Sequence, residues 1–325
     1  MSEPILLALD YGGTKLSAAI AGVGERTWRA LDRSFSPPIK DARYEYATML
    51  ELARKLLGDQ IPVAIGISFG GPVDAPNGRV ILSHHVEGWE DTPLRDRLQA
   101  DLGAPVSVDN DANVAALGEY TFGAGQGVAS LLYVTVSTGV GGGWVFGGKI
   151  FSGADGMAGE IGHTICDPQG ALCVCGRHGC VEAMACGTAI ARDAKERLRA
   201  ETNRGVILRL LVNGDVNKVT GALVAQAANQ GDELAIEVMD KAARSLGFGI
   251  GTAITLINPE IVVVGGGVSK SGERYWRELR ASARANTLPQ ARVEIVPAKL
   301  GDDAPLWGAI ALAEKLLIKQ VNSQQ

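Results

Sequence analysis

No stretch of this 325-residue sequence stays apolar for long. Near its start Ile5–Leu9 is the only apolar run, and Asp10 closes it at once. That is too short for a signal-peptide core, and no later run reaches the ~18 residues of a membrane span. Positive charge is not in excess either: 31 Lys and Arg stand against 36 Asp and Glu, a net charge of −5. This balance argues against nucleic-acid and anionic-membrane partners. Cysteine is sparse and odd in number, with five residues. Without a secretory segment, that pattern predicts free thiols in a reducing cytoplasm rather than disulfides. No low-complexity linker interrupts the chain, which ends in a polar tail from Gln320.

What is present is a 46% hydrophobic chain with 42 glycines. It is long enough for two domains with ordinary cores, of an α/β kind rich in tight turns. Three of the few cysteines fall together. His163, Cys173, Cys175 and Cys180 set one imidazole and three thiols in a glycine-rich loop too short for a core of its own. Four soft ligands suit tetrahedral Zn²⁺ in a structural site. His178 is the rival nitrogen ligand and ranks below His163; Cys166 and Cys186 read as packed thiols. Glu160 and Glu182 flank the set, and a purely structural knuckle has no need of them. The loop is therefore expected to face a substrate as well.

Upstream, Ile5–Leu9 and Leu16–Ala21 read as a hairpin around Asp10-Tyr11-Gly12-Gly13-Thr14-Lys15. Glycines let backbone N–H groups approach a phosphate; Thr14 and Lys15 add donors, and Asp10 suits Mg²⁺ through water. Tyr44–Leu57 has helical spacing, and Val63–Ser68 is a strand that enters an irregular loop at Gly70-Gly71-Pro72, a common place for ligand contact. His84 and His85 have no matching ligand cluster and read as loop residues. After a short helix at Pro93–Leu102, the strand Val106–Val108 delivers Asp109-Asn110-Asp111-Ala112-Asn113 to the head of a helix expected to end near Gly118. Two acids and two amides exceed what one N-cap requires, which favours function there.

Leu131–Val136, Ser137-Thr138-Gly139-Val140-Gly141-Gly142-Gly143 and Trp144–Phe146 repeat the opening hairpin and suggest an internal duplication. A near-Walker pattern at Gly143–Lys149 fails, because Ile150 stands where Mg²⁺ needs Ser or Thr and the glycines lie inside apparent strands. Helices are expected at Thr188–Ala200 and Val219–Gln230. A long buried helix follows, with Leu234, Val238, Ala242 and Leu246 four residues apart and the pattern continuing to Ile257. The strand Ile261–Val264 then enters Gly265-Gly266-Gly267, which allows close approach of a flat ring or phosphate. Its spacing fails the dinucleotide fingerprint. A helix at Arg274–Ala285, a strand at Val293–Val296 and a closing helix at Leu306–Leu317 complete the chain.

Together these motifs resemble the ROK family of sugar kinases and sugar-responsive repressors. The resemblance runs from Asp10 to Ala313 and is most specific at Glu160-Ile161-Gly162-His163, Cys173-Val174-Cys175-Gly176, Gly179-Cys180 and Glu182. It implies a two-lobed α/β fold of the actin–hexokinase, ribonuclease H-like kind, duplicated and carrying a zinc loop. A smaller N-terminal lobe would run to Gly118 and take back the last helix, about 306–325; residues 119–305 would form the larger lobe. The implied activity is ATP-dependent phosphorylation of a hexose, glucose first, with N-acetylhexosamine, mannose, fructose or allose as alternatives. Asp111 would be the general base and Asn110 a sugar-hydroxyl partner. Glu160, His163 and Glu182 would hold the ring, with Gly71 near it. Asp10 with Mg²⁺, Gly12, Gly13, Thr14, Lys15, Thr138 and Gly139 would face the ATP phosphates, and Gly265, Gly266 and Gly267 the adenosine. His163 can serve twice, since an imidazole bound to metal through one nitrogen keeps an N–H on the other. A homodimer is implied too. Ser137 departs from the family's usual Gly and is expected to crowd the phosphate turn; His85 stands where many of the family's kinases carry Asn. A sugar-sensing repressor is the reading from another class. It is disfavoured because the hairpin begins at Ile5, leaving no room for a helix-turn-helix before it, and because the chain is acidic.

Overall fold

In the computed structural model, which describes residues 3–83 and 86–322, strand β1 (Ile5–Tyr11) is buried along its whole length. A strand without polar alternation needs cover on both faces. Ile5, Leu7 and Leu9 pack with Met49 and Leu52 of helix α1 (Ala42–Leu57) and with Leu94 and Leu98 of α2 (Leu94–Leu102). Leu6 and Ala8 pack on the other side with Val114 and Leu117 of α3 (Asp111–Phe122) and with Leu306 and Ile310 of α10 (Ala304–Asn322). Strands β2 (Lys15–Gly22) and β3 (Ala30–Phe35) extend the sheet antiparallel on one side. Strands β4 (Ala64–Phe69) and β7 (Val106–Asn110) extend it parallel on the other, in the order β3-β2-β1-β4-β7. Between them β5 (Val73–Asp74) and β6 (Arg79–Val80) form a small ribbon.

Register aligns Ser17, Asp10, Ser68 and Asp109 in one row across four strands. All four are buried. The row lies at the carboxyl ends of the parallel strands, where open α/β sheets bind their ligands.

A second sheet has β8 (Ser130–Val136), β9 (Val140–Phe146), β10 (Lys149–Phe151), β11 (Ile261–Gly265) and β12 (Glu294–Pro297) in the order β10-β9-β8-β11-β12. Each sheet is a hairpin whose first strand also pairs in parallel with later ones, so the expected duplication is present in the topology. The turn of the second hairpin is shorter than the sequence suggests. It comprises Ser137-Thr138-Gly139 alone, and Gly141–Gly143 continue into β9. Gly147 and Gly148, expected inside strands, instead make the β9–β10 turn with φ of +53° and +75°.

Around this sheet run α4 (Val181–Ala185), α5 (Gly187–Ala200), α6 (Val206–Leu211), α7 (Gly221–Asn229), α8 (Glu233–Ile257) and α9 (Glu273–Ala285). The buried Asp232 caps α8 through Ala235 N (3.1 Å), while its other oxygen accepts from Ile207 N and Leu208 N at the head of α6. Asn258, in the left-handed region at φ +52°, ends α8.

The chain divides into two compact units: Met1–Ala129 with Gly143–Ala158 and Ala298–Gln325, and Ser130–Gly142 with Gly159–Pro297. This differs from a boundary at Gly118. That glycine is not a helix terminator. A Cβ on it would lie 2.8 Å from Gly308 N, so it lets α3 and α10 approach closely while α3 runs on to Phe122. The next residue, the fully buried Glu119, accepts from Leu300 N (2.7 Å) and Lys299 N (3.2 Å), drawing the segment before α10 into the same unit. Among the described residues no helix is long and apolar enough to cross a membrane.

Candidate active site and zinc centre

In the first unit the β1–β2 turn carries Gly12, Gly13 and Thr14, and Lys15 opens β2. Asp10 Oδ1 accepts the Ser68 hydroxyl at 2.8 Å. Burial pushes the Asp10 carboxyl up to about 7; the Ser68 bond opposes this and the nearby Asp111 charge adds to it. Asp111 is the first residue of α3, and its Oδ1 accepts from Ala112 N at 2.8 Å. Its other oxygen marks one place with the turn: a Cβ on Gly70 would be 3.9 Å from Asp111 Oδ2 and 4.0 Å from Gly13 N. Asn110 is the N-cap, accepting from Ala112 N and Asn113 N, and its amide donates to Gly71 O at 3.0 Å. Asn110 thereby holds the Gly71 loop against the head of α3. Asp109 is buried and accepts from the Asn113 amide at 3.0 Å, so this half of the polar cluster is structural. His84 and His85 lie outside the described residues.

Lys40 is a residue that sequence reasoning missed. Its Nζ donates to Gly13 O at 2.6 Å and lies 3.2 Å from Glu45 Oε1, both side chains being more than nine-tenths buried. Glu45 Oε2 accepts the Trp89 indole N–H at 2.8 Å. This network ties α1 and the Gly88-Trp89 segment to the β1–β2 turn. No local pattern marks Lys40; only the fold buries it.

In the second unit His163, Cys173, Cys175 and Cys180 bring their ligand atoms within 4.8 Å of one another. His163 Nδ1 is 3.6 Å from Cys173 Sγ, and Cys175 Sγ is 3.6 Å from Cys180 Sγ. Ligands about 2.0–2.3 Å from one ion stand roughly 3.3–3.8 Å apart at the corners of a tetrahedron. The set fits structural zinc. His178 is outside it, with Nδ1 3.0 Å from Gly170 O. Burial pushes the Cys173 thiol up and Cys180 up to about 12, whereas hydrogen bonds from Arg177 bring the exposed Cys175 down to about 6. Two buried thiols that resist ionisation are the ones a cation must deprotonate.

Coordination through Nδ1 leaves His163 Nε2 free to donate, and Glu160 Oε2 is 3.9 Å from it. Glu182 lies in α4, directly after the last zinc ligands. Its Oε2 accepts from Val140 N at 3.0 Å and Oε1 is 3.9 Å from Cys173 Sγ. Glu182 therefore joins the zinc loop to the Ser137-Thr138-Gly139 turn. Cys166 donates to Gly179 O and Cys186 lies 3.0 Å from Thr188 Oγ1, apart from the cluster as expected.

The same unit holds a cavity of about 720 Å³ lined by Ser137, Thr138, Thr188, Gly221, Asn229 and Gly267, among others. Gly139, Gly265 and Gly266 are not in its wall. A Cβ on Gly139 would be 2.6 Å from Glu182 Oε2; one on Gly265 would meet the Tyr133 ring, and Gly266, at φ +86°, packs on Val136 O. Ser137 lines this cavity, and its backbone N–H closes the turn by donating to Gly139 O at 2.9 Å. Two helices begin at this cavity, α5 at Gly187 and α7 at Gly221, and Thr188 Oγ1 donates to Thr138 O at 3.0 Å. Helix N-termini favour anions. The signal was present as Cys186-Gly187-Thr188 and Thr220-Gly221, each a cap before a helical run, but nothing in the order of residues points both at one cavity.

The ROK family profile matches residues 6–316. A glucokinase of Streptomyces coelicolor is 35% identical over 317 residues, 96% of this chain and 98% of that protein. A glucokinase of Halalkalibacterium halodurans is 42% identical over 248 residues, 75% of this chain and 74% of that protein. Among solved structures, a ROK family glucokinase from Streptomyces griseus in complex with glucose and AMPPNP superimposes with a TM-score of 0.82 at 34% identity, covering 96% of this chain and 99% of that one.

Proposed function

The chain belongs to the ROK family, and on that footing we propose that it transfers the terminal phosphoryl group of ATP to a hexose hydroxyl, with glucose as the acceptor. The observation that carries the residue-level reading is the convergence, within one unit, of the Asp111 carboxylate and the Gly13 N–H on the space beside Gly70. Phosphoryl transfer needs a base at the acceptor hydroxyl and donors at the phosphates. Asp111 takes the hydroxyl proton. The Gly12–Lys15 turn faces the phosphates, and the helix N-termini with Thr138 and Gly267 receive the nucleotide in the 720 Å³ cavity. Asp10 would hold Mg²⁺ through water, and that ion neutralises phosphate charge when bound.

Glu160, His163 Nε2 and Glu182 grip the sugar as hydrogen-bonding groups, and zinc fixes the shape of the loop that bears them. Asn110 acts on the acceptor chiefly by positioning Gly71. The reading includes a homodimer in a reducing cytoplasm, with neither nucleic acid nor membrane as partner. The five free thiols support that compartment.

The test is a panel of hexoses assayed for ADP release with Mg-ATP, in wild type and Asp111→Asn. Glucose should turn over fastest. The variant should lose roughly 10²–10⁴-fold in kcat while still binding sugar. Near-normal turnover in the variant removes Asp111 from its role, and no ADP from any hexose removes the kinase reading.

A further inference from the structure

Away from every residue assigned above, the second unit has another cavity, of about 630 Å³, within the size range of small-molecule sites. Arg280, Arg284 and Arg292 line it, with Glu294, Leu288 and Ile254. We propose that this cavity binds a phosphorylated sugar through the three guanidinium groups.

The charge pattern is the first argument. Acids outnumber bases in this chain, and among the described residues 11 of its 20 arginines pair with carboxylates. Arg197 and Arg204 share Glu201 and Glu237, and Arg274 grips Asp240 with two nitrogens. Arg284 and Arg292 have no carboxylate partner among the described residues. Arg280 spends its Nε on Ile295 O (3.0 Å) and lies 4.9 Å from the Trp276 ring centre, which fixes the guanidinium and leaves its terminal nitrogens as donors. Arg280 and Arg284 stand four residues apart along α9, so like charges share one face. A bound phosphate offsets that repulsion, and planar forks match its oxygens.

The rest of the wall selects the kind of phosphate. Three guanidinium groups and one carboxylate leave a surplus of two positive charges, suited to a phosphate dianion. Glu294 disfavours a bare anion placed against it but accepts hydroxyl protons. Leu288, 62% exposed, offers an apolar surface beside these groups. A wall that offers donors to phosphate together with an acceptor for hydroxyls suits a sugar phosphate.

Calorimetry on the full chain tests this, with glucose and a non-hydrolysable ATP analogue present in excess to fill the active site. Glucose 6-phosphate and inorganic phosphate are titrated separately into wild type and into Arg284→Ser/Arg292→Ser, both positions being exposed. One glucose 6-phosphate should bind per chain, weakened at least about tenfold in the variant by loss of the charged hydrogen bonds. The variant's turnover of hexose without added sugar phosphate should equal that of wild type. Absence of binding, equal binding by the variant, or inorganic phosphate binding as tightly as glucose 6-phosphate would overturn the proposal. Each arm is read as binding at this cavity, so it is distinguishable from a failure of the kinase reading, which shows as absent ADP release.

Discussion

Replacing Lys40 by Met should damage the protein twice, once in stability and once at the phosphate turn. The side chains of Lys40 and Glu45 are 7% and 5% exposed and 3.2 Å apart. Removing one partner of a buried pair leaves an uncompensated charge and costs about 3–5 kcal/mol. Against a typical total of about 5–15 kcal/mol, that is a large share. Among the described residues Glu45 would keep only the Trp89 indole, and Gly13 O would lose the donor now 2.6 Å away. The turn that presents Gly13 N–H would then be less constrained, so the KM for ATP should rise more than the KM for sugar. Urea unfolding of wild type, Lys40→Met, Glu45→Gln and the double variant measures the stability part. The double variant should be more stable than the sum of the single losses predicts, because removing the acid removes the orphaned charge. A loss below about 1 kcal/mol in Lys40→Met, or plain additivity across the four proteins, would show a solvated pair and refute the reasoning.

Two further outcomes follow from the same physics. Protein purified without chelator should carry one zinc per chain, and Cys173→Ser or Cys180→Ser should lose it along with sugar affinity; a zinc-free protein that stays folded and fully active contradicts a structural role. Asp10 has a folded-state pKa raised from 3.8 to about 7. The folded state therefore keeps a proton that the unfolded chain has released, and ligand-free stability is full below about pH 4, falls as pH rises to about 7, and levels off above it. Asp10→Asn should flatten that slope in denaturation curves taken from pH 4 to 8, and an unchanged slope would place its origin elsewhere.

Much of this molecule was legible in the order of its residues, and the reason is locality. This chelating set lies within one loop, so His163 and the three cysteines could be read before any fold was known. Hairpins with glycine turns and helices with period 3.6 are likewise set by neighbours, which is why β1–β2 and α8 were predictable to within a residue or two. Glycines were the weak point. Gly118 reads as an end and is a point of helix contact. The tertiary structure alone decided the rest. Sheet register placed Asp10, Ser68 and Asp109 in one row, burial turned Lys40 into a bolt for the phosphate turn, and α9 with the following loop gathered Arg280, Arg284 and Arg292 around one cavity. Each of these depends on which distant surfaces exclude water from one another, a quantity that no window of sequence contains.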